Sequence, residues 1–179
     1  SGANQLQNFP VLSQAYSSSS TAIRGYLNSA PSKTYRLQFF ASPQCDSLGN
    51  GEGQLYLGEK LIVAGGSCSN AFAAVLPTPV TPGYVVTATA TDPANNTSEF
   101  SACFTVSAPP KLDLALAGSG QITLAWTNIA PGFVLKETTN LSPPVVWSTV
   151  TNVPVNSGGQ FAVTLGRQNG QRYFRLNFE

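Results

Sequence analysis

The sequence predicts an all-β protein built as two tandem antiparallel β-sandwiches, and three observations support this fold class. The chain of 179 residues has no Met and only 9% charged residues, so the usual occupants of exposed helix faces are scarce. Apolar and polar residues alternate along several segments, as they do in strands that are buried on one side. Glycine and proline lie between these segments and predict turns.

The first predicted sandwich covers residues 1–108. Tyr35, Leu37 and Phe39 share one face of a strand, because alternate side chains of a strand point to the same side. The strands predicted here cover residues 8–14, 22–27, 34–39, 54–63, 70–76, 84–91 and 100–106. This is the number of strands expected of an immunoglobulin-like sandwich.

The segment 84–91 gives the clearest alternation in this sandwich. Tyr84, Val86, Ala88 and Ala90 are predicted to face the core, and the threonines between them are predicted to face solvent. The turn residues at 92–96 then predict a hairpin that continues into the last strand.

Two adjacent prolines, Pro109 and Pro110, mark the predicted boundary between the sandwiches. They fix φ and remove backbone donors, so they form a short stiff connector. The second sandwich covers residues 109–179. Its predicted strands cover residues 112–117, 121–127, 132–137, 145–150, 160–165 and 172–178, with turns at 118–120, 130–132, 142–144 and 157–159.

Several kinds of chemistry are excluded by the composition. The sequence has no His, so it contains no Ser-His-Asp or Cys-His arrangement and no His-bearing zinc site. It contains neither a phosphate-binding loop motif nor a dinucleotide-binding glycine motif. None of the eight acidic residues lies in a recognisable catalytic setting. We therefore predict that the chain is not an enzyme.

Charge and hydropathy argue against two classes of partner. The net charge is +1 and the basic residues are not clustered, so nucleic acid is not predicted to bind. No apolar run reaches the roughly 18 residues that a membrane-spanning helix requires, so membrane insertion is not predicted.

The three cysteines, Cys45, Cys68 and Cys103, leave the disulfide open on spacing alone. Any one of three pairings is possible, and each leaves one thiol over. Their spacing does not match a CxxC metal site.

The stretches 35–40, 56–58 and 84–101, with the motifs Cys45-Asp46 and Ser101-Ala102-Cys103, carry a resemblance to a known family. The first module resembles the bacterial immunoglobulin-like repeats of large surface and secreted proteins. It is most similar to a variant found beside right-handed β-helix domains. The resemblance implies a secreted or cell-surface location, a Cys45–Cys103 disulfide and a free thiol at Cys68.

The second module carries a resemblance in residues 122–126, 132–141, 147–150 and 173–176. It resembles a fibronectin type III-like C-terminal module of bacterial secreted proteins. It departs from a full sandwich of that kind by stopping just after residue 178, which puts a last strand in doubt. Both resemblances imply architecture and compartment, and neither implies a reaction.

Oxygen donors gather in the loop of residues 45–52, where Asp46, Asn50 and Glu52 lie, and Asp92 lies in another loop. Ca²⁺ takes roughly six to eight oxygen ligands, often from such side chains. Because some bacterial immunoglobulin-like repeats hold calcium between domains, the resemblance makes these four residues candidate ligands if the loops meet. The alternative, which we prefer, is that they shape turns. No other cofactor is predicted.

Aromatic residues that face solvent would be candidates for carbohydrate binding. Trp126 alternates with Ile122 and Leu124 and is predicted to be in the core. Trp147 follows two valines, is predicted to be half exposed, and is the candidate ligand-binding residue.

The sequence therefore predicts a non-catalytic accessory region of a larger secreted or cell-surface bacterial protein, acting as a spacer, stalk or presenting module. Its expected partners are neighbouring domains of the same parent protein. The alternative is a carbohydrate- or surface-binding module, with polysaccharide or a cell surface as its partner, or a Ca²⁺-dependent adhesion module. A contiguous exposed aromatic patch would favour the alternative.

Overall fold

The computed structural model describes residues 3–118, 120–128 and 132–179 of the chain. The fold class is all-β, as predicted: apart from a single 3₁₀ turn at Ala3–Leu6, the regular elements in these ranges are strands. No helix in the same ranges has the length and apolar character needed to cross a bilayer. The turns predicted around Ser119 and at Ala130 and Pro131 lie outside the described residues.

The chain divides into two compact units, Ser1–Ala108 and Pro109–Glu179, here called unit 1 and unit 2. The division falls immediately before the Pro109-Pro110 pair. Each unit is described separately below.

Residues 3–108 of unit 1 contain seven strands in two antiparallel sheets. The three-stranded sheet has the order β1-β2-β5 and the four-stranded sheet the order β4-β3-β6-β7. The strands are β1 (Val11–Ser17), β2 (Thr21–Asn28), β3 (Thr34–Ser42), β4 (Leu55–Val63), β5 (Ser69–Leu76), β6 (Val85–Thr91) and β7 (Phe104–Thr105).

The core of unit 1 lies between these two sheets. Ile23 and Leu27 of one sheet and Leu37 of the other are fully buried in a single hydrophobic cluster. The rings of Phe39 and Phe72 connect the two layers, with their centroids 5.8 Å apart. The period-two alternation in the sequence therefore identifies the side chains that fill the sandwich.

The two ends of β1 lie at opposite poles of unit 1. Val11, at the start of β1, pairs with Tyr26, whereas Ser107 forms an isolated parallel bridge with Tyr16 near the end of β1. The amide of Ser17 donates to the carbonyl of Ser107 at 3.0 Å, and the amide of Ser107 donates to the carbonyl of Ala15 at 3.0 Å. The chain therefore enters unit 1 at one end of β1 and leaves beside the other end.

β4 is an edge strand, and one charged residue lies on its core-facing side. Lys60 pairs with Leu37, whose side chain is in the core, yet Lys60 itself is exposed at the sheet edge. A charge in this position opposes the addition of another strand to the edge.

Three predictions about the end of unit 1 are wrong. Tyr84 is 36% exposed and lies one residue before β6, so it is not a core residue. The threonines of β6 are buried rather than solvent-facing: Thr87 is 1% exposed and Thr89 7%. The predicted strand at 100–106 is reduced to β7, the two residues Phe104–Thr105. The last strand is short because the chain from Asn96 to Cys103 runs irregularly along the edge of β6.

This irregular segment satisfies the backbone of β6 partly through serine side chains. Ser98 donates its amide to the carbonyl of Ala90 at 2.9 Å, and its hydroxyl oxygen accepts from the amide of Ala90 at 2.9 Å. Ser101 repeats the pattern on Ala88. The edge of β6 is thereby capped without a regular strand.

Unit 2 is a smaller antiparallel sandwich. One sheet has the order β12-β13-β9-β8 and the other the order β11-β10-β14. Its strands are β8 (Asp113–Ala117), β9 (Gln121–Thr127), β10 (Phe133–Thr138), β11 (Ser148–Thr149), β12 (Val155–Ser157), β13 (Gln160–Gly166) and β14 (Tyr173–Phe178).

The core of unit 2 gathers residues from both of its sheets. Leu124, Trp126 and Val163 come from one sheet and Leu135 from the other. Trp126 is 2% exposed, so its prediction as a core residue is confirmed. The strand β12 was not predicted, and the predicted strand at 145–150 shortens to β11.

Candidate functional site

The loop between β3 and β4 is fastened to the segment that precedes β7. Cys45 and Cys103 form a disulfide with their Cα atoms 6.0 Å apart, as the resemblance implied. The amide of Cys103 donates to the carbonyl of Gly49 at 3.0 Å, and the amide of Gly51 donates to the carbonyl of Ser101 at 3.4 Å. The loop is therefore held by a disulfide and by backbone hydrogen bonds between residues that are 50 or more positions apart in the sequence.

The carboxylate of Asp46 organises the turn at the start of this loop. Its Oδ1 accepts hydrogen bonds from the amide of Leu48 at 2.9 Å and from the amide of Asn50 at 3.2 Å. The side-chain amide of Asn50 donates to the carbonyl of Leu48 at 3.3 Å. These are the contacts of an aspartate that shapes a turn through its own backbone.

The end of the loop packs on an aromatic cluster formed by Phe40, Tyr56 and Phe100. The ring of Phe40 lies 5.5 Å from that of Tyr56 and 5.3 Å from that of Phe100, measured between centroids. Gly53 faces this cluster so closely that a Cβ atom there would lie 2.8 Å from the Phe40 ring. Glu52, between Gly51 and Gly53, has an exposed side chain, and its carbonyl accepts a hydrogen bond from the hydroxyl of Ser42.

Asp92 shapes a second turn, after β6. Its Oδ1 accepts from the amides of Ala94 and Asn96, both at 2.9 Å, and its Oδ2 accepts from the side-chain amide of Asn96 at 3.0 Å. The side-chain and backbone hydrogen bonds from Asn96 lower the pKa of Asp92 below its ordinary value of 3.8, because they stabilise the charged form.

The structure does not bring Asp92 to the other three candidate calcium ligands. Asn50 is bridged to Ala102, whose neighbour Ser101 lies beside Ala88 of β6. Asp92 lies four residues beyond Ala88, a separation of roughly 14 Å at about 3.4 Å per residue. Calcium ligands lie about 2.3–2.6 Å from the ion, so the two loops cannot share one.

The acidic residues do not cluster elsewhere either. In the ranges that the structure describes, no group of three or more His, Cys, Asp or Glu side chains is placed to hold a metal ion. Asp46, Asn50 and Glu52 remain in one loop, two of them engaged in its turn.

Cys68 is exposed and carries a free thiol. It borders an open cleft of about 420 Å³ at the pole of unit 1 where β1 begins, together with Lys33, Ser29 and Asp92. The carbonyl of Cys68 accepts a hydrogen bond from the amide of Ser29 at 2.9 Å.

Trp147 is half-buried, and a cation covers its ring. The guanidinium carbon of Arg175 lies 4.3 Å from the ring centroid of Trp147. At this distance the cation is attracted to the π face of the indole. One face of the candidate ligand-binding residue is therefore already occupied by the protein itself.

A cleft in unit 2 was missed by sequence reasoning. It has a volume of about 370 Å³ and lies where β10 ends and β14 begins. Its wall is mostly polar and includes Glu137, Thr139, Asn140, Ser148, Gln168 and Arg172. Glu137 and Arg172 are 35 residues apart in the sequence, and no local motif signals that they meet.

An ion pair between Glu137 and Arg172 lies in the wall of this cleft. The Nε of Arg172 donates to Oε2 of Glu137 at 3.1 Å, and its Nη2 donates to the same oxygen. The guanidinium also lies 5.0 Å from the ring centroid of Phe174. The Arg172 side chain is only 14% exposed, so its position is fixed by packing as well as by charge.

No family model matches this chain, and no curated protein matches it.

Proposed function

We propose that the chain is a non-catalytic accessory region, a spacer or presenting module, of a larger secreted or cell-surface bacterial protein. Its partners are then the neighbouring domains of the same parent protein. The resemblance of unit 1 to bacterial immunoglobulin-like repeats and of unit 2 to fibronectin type III-like modules supports this proposal.

The observation that carries the proposal is the placement of the chain ends of unit 1 at opposite poles. Val11 and Tyr16 are five residues apart on β1, which corresponds to roughly 17 Å, and Ser107 lies beside Tyr16. A module that receives the chain at one pole and releases it at the other holds its neighbours apart.

The Cys45–Cys103 disulfide supports the same role. Structural disulfides are typical of oxidising compartments such as the cell exterior. The bond also keeps 58 residues of unit 1 from extending when the chain ends are pulled.

The contacts of the candidate ligands agree with a structural role. Asp46 and Asp92 bind backbone amides of their own turns. Trp126 is in the core, and Arg175 covers Trp147. Each of these side chains already serves the fold.

Force spectroscopy on the 179-residue chain, pulled by its two ends, tests the proposal. We expect unit 1 to unfold in a distinct force peak, because the hydrogen bonds between β1 and Ser107 resist shear. Reduction of the disulfide should lengthen the extension released by roughly 200 Å, since 58 residues at about 3.6 Å each become free.

A matched pair of variants isolates the junction of β1 with Ser107. Ser107→Pro removes the amide that donates to Ala15 and should lower the unfolding force of unit 1. Ser107→Ala keeps this amide and should leave the force unchanged. Extension of unit 1 without a resolvable force peak would refute a spacer that maintains its length under tension.

A further inference from the structure

The cleft of unit 2 combines charge neutrality with many hydrogen-bonding groups. Its single carboxylate, Glu137, is paired with its single guanidinium, Arg172. Because these charges compensate each other, the cleft offers no excess charge to an ionic ligand.

The ion pair leaves one acceptor of Glu137 unused. Both contacts from Arg172 go to Oε2, and Oε1 has no hydrogen-bond partner in the part of the chain that the structure describes. Nη1 of Arg172 donates to the carbonyl of Gly166 at 3.4 Å. The carboxylate is thus held in one orientation and retains an oxygen that can accept from a ligand hydroxyl.

Uncharged polar groups line the rest of the cleft. The side chains of Thr139, Ser148 and Gln168 are exposed and make no hydrogen bond to any described residue. Asn140 uses its Oδ1 to accept from the amide of Ser142 at 2.8 Å, which leaves its NH₂ group as a donor. The cleft therefore presents both hydrogen-bond donors and hydrogen-bond acceptors.

One side of the cleft is apolar. Val146 borders it with 74% of its surface exposed, next to Pro144. A ligand that covered Val146 would gain burial of an apolar surface that water now contacts.

We propose that this cleft binds a neutral saccharide, with Glu137 Oε1, Asn140 and Gln168 as hydrogen-bonding groups and Val146 as the apolar contact. A sugar carries hydroxyls that both donate and accept, it has no net charge, and its ring has C–H surfaces that pack on an aliphatic side chain. The volume of about 370 Å³ falls within the usual range of small-ligand clefts. This inference goes beyond the spacer role and is independent of it.

Nuclear magnetic resonance of the 179-residue chain provides the test. Fragments of β-1,4-glucan, xylan, mannan and chitin are titrated to millimolar concentration, with polygalacturonate and heparin as anionic probes. We expect at least one neutral oligosaccharide to shift the backbone amides of residues 139–148 and 168–172. Gln168→Ala should weaken that binding about tenfold, because a donor and an acceptor are lost.

Gln160→Ala is the matched control, since Gln160 is also an exposed glutamine of unit 2 but lies on β13 outside the cleft. It should bind like the unmodified chain. The proposal is overturned if no neutral oligosaccharide shifts these amides, if the shifts centre elsewhere, or if only the anionic probes bind.

Discussion

The hydroxyl oxygen of Ser101 accepts a 3.0 Å hydrogen bond from the backbone amide of Ala88, thirteen residues earlier in the chain. In a regular sheet that amide would bond to the carbonyl of a neighbouring strand. Ser101 is fully buried, and its hydroxyl in turn donates to the carbonyl of Ala102 at 3.0 Å. A side chain therefore takes the place of a strand at the edge of β6.

Ser101→Ala should destabilise unit 1, because it leaves the amide of Ala88 buried without an acceptor. We expect the free energy of unfolding to fall by about 1–3 kcal/mol. Chemical denaturation measures this change. Ser47→Ala, in the exposed part of the β3–β4 loop, is the control, and an equal effect of both variants would contradict the role of Ser101.

Removal of the disulfide should have a larger effect on unit 1. The double variant Cys45→Ala with Cys103→Ala is expected to lose about 4 kcal/mol, because the unfolded chain gains the freedom that a closed loop of 58 residues denies it. Denaturant titration under oxidising conditions reports the change. Cys68→Ala, which removes an exposed free thiol, should leave the midpoint of the denaturation curve unchanged.

The edge strand β4 supplies a prediction about association. Lys60→Val creates an apolar run that continues through Leu61, Ile62 and Val63 on an exposed edge. We expect this variant to self-associate with rising concentration, because the charge that opposes strand addition is gone. Analytical ultracentrifugation detects such species. Lys111→Val changes the net charge by the same amount and should keep the association state of the unmodified chain.

Asp92 makes stability depend on pH on the acid side. Its pKa in the folded chain lies below the ordinary 3.8, so its contribution to stability is complete above that value. The contribution is lost as the pH falls through the lowered pKa, when the carboxylate is protonated. Asp92→Asn should remove this part of the acid dependence in melting curves recorded from neutral pH downward, whereas Asp113→Asn, at an exposed ion pair, should not.

Asp46 is predicted to matter to the fold rather than to a bound ion. Asp46→Ala removes the acceptor of two backbone amides and should lower the free energy of unfolding by about 1 kcal/mol. Asp46→Asn keeps an oxygen in the same place and should recover most of the loss. Identical melting temperatures for Asp46→Ala and the unmodified chain would contradict this account.

The strands that alternate cleanly could be predicted from the sequence, because one buried face imposes a period of two. Residues 34–39 and 121–127 illustrate this, and both are strands in the structure. The interior position of Trp126 followed from the same reasoning.

The burial of the outer face of β6 could not be predicted from this alternation. Alternation reveals which side chains share a face, but not whether a distant segment covers the opposite face. The threonines of β6 are buried. Residues 96–103 return along the edge of β6 through the hydroxyls of Ser98 and Ser101, and that return has no period of its own.

The positions of the candidate site residues depend on similar long-range contacts. Asp46 and Asp92 look similar in sequence, and only the register of β6 shows that their loops lie apart. The cleft of unit 2 depends on a contact between Glu137 and Arg172 that no local pattern announces.

The tip of the β3–β4 loop has a consequence for the effect of proteolysis. Leu48 is 83% exposed there, and it lies between the two cysteines of the disulfide in the sequence. A protease that cuts the chain beside Leu48 therefore produces two fragments that stay covalently joined through Cys45 and Cys103. A nick at this exposed position would leave whatever precedes unit 1 still tethered to whatever follows it.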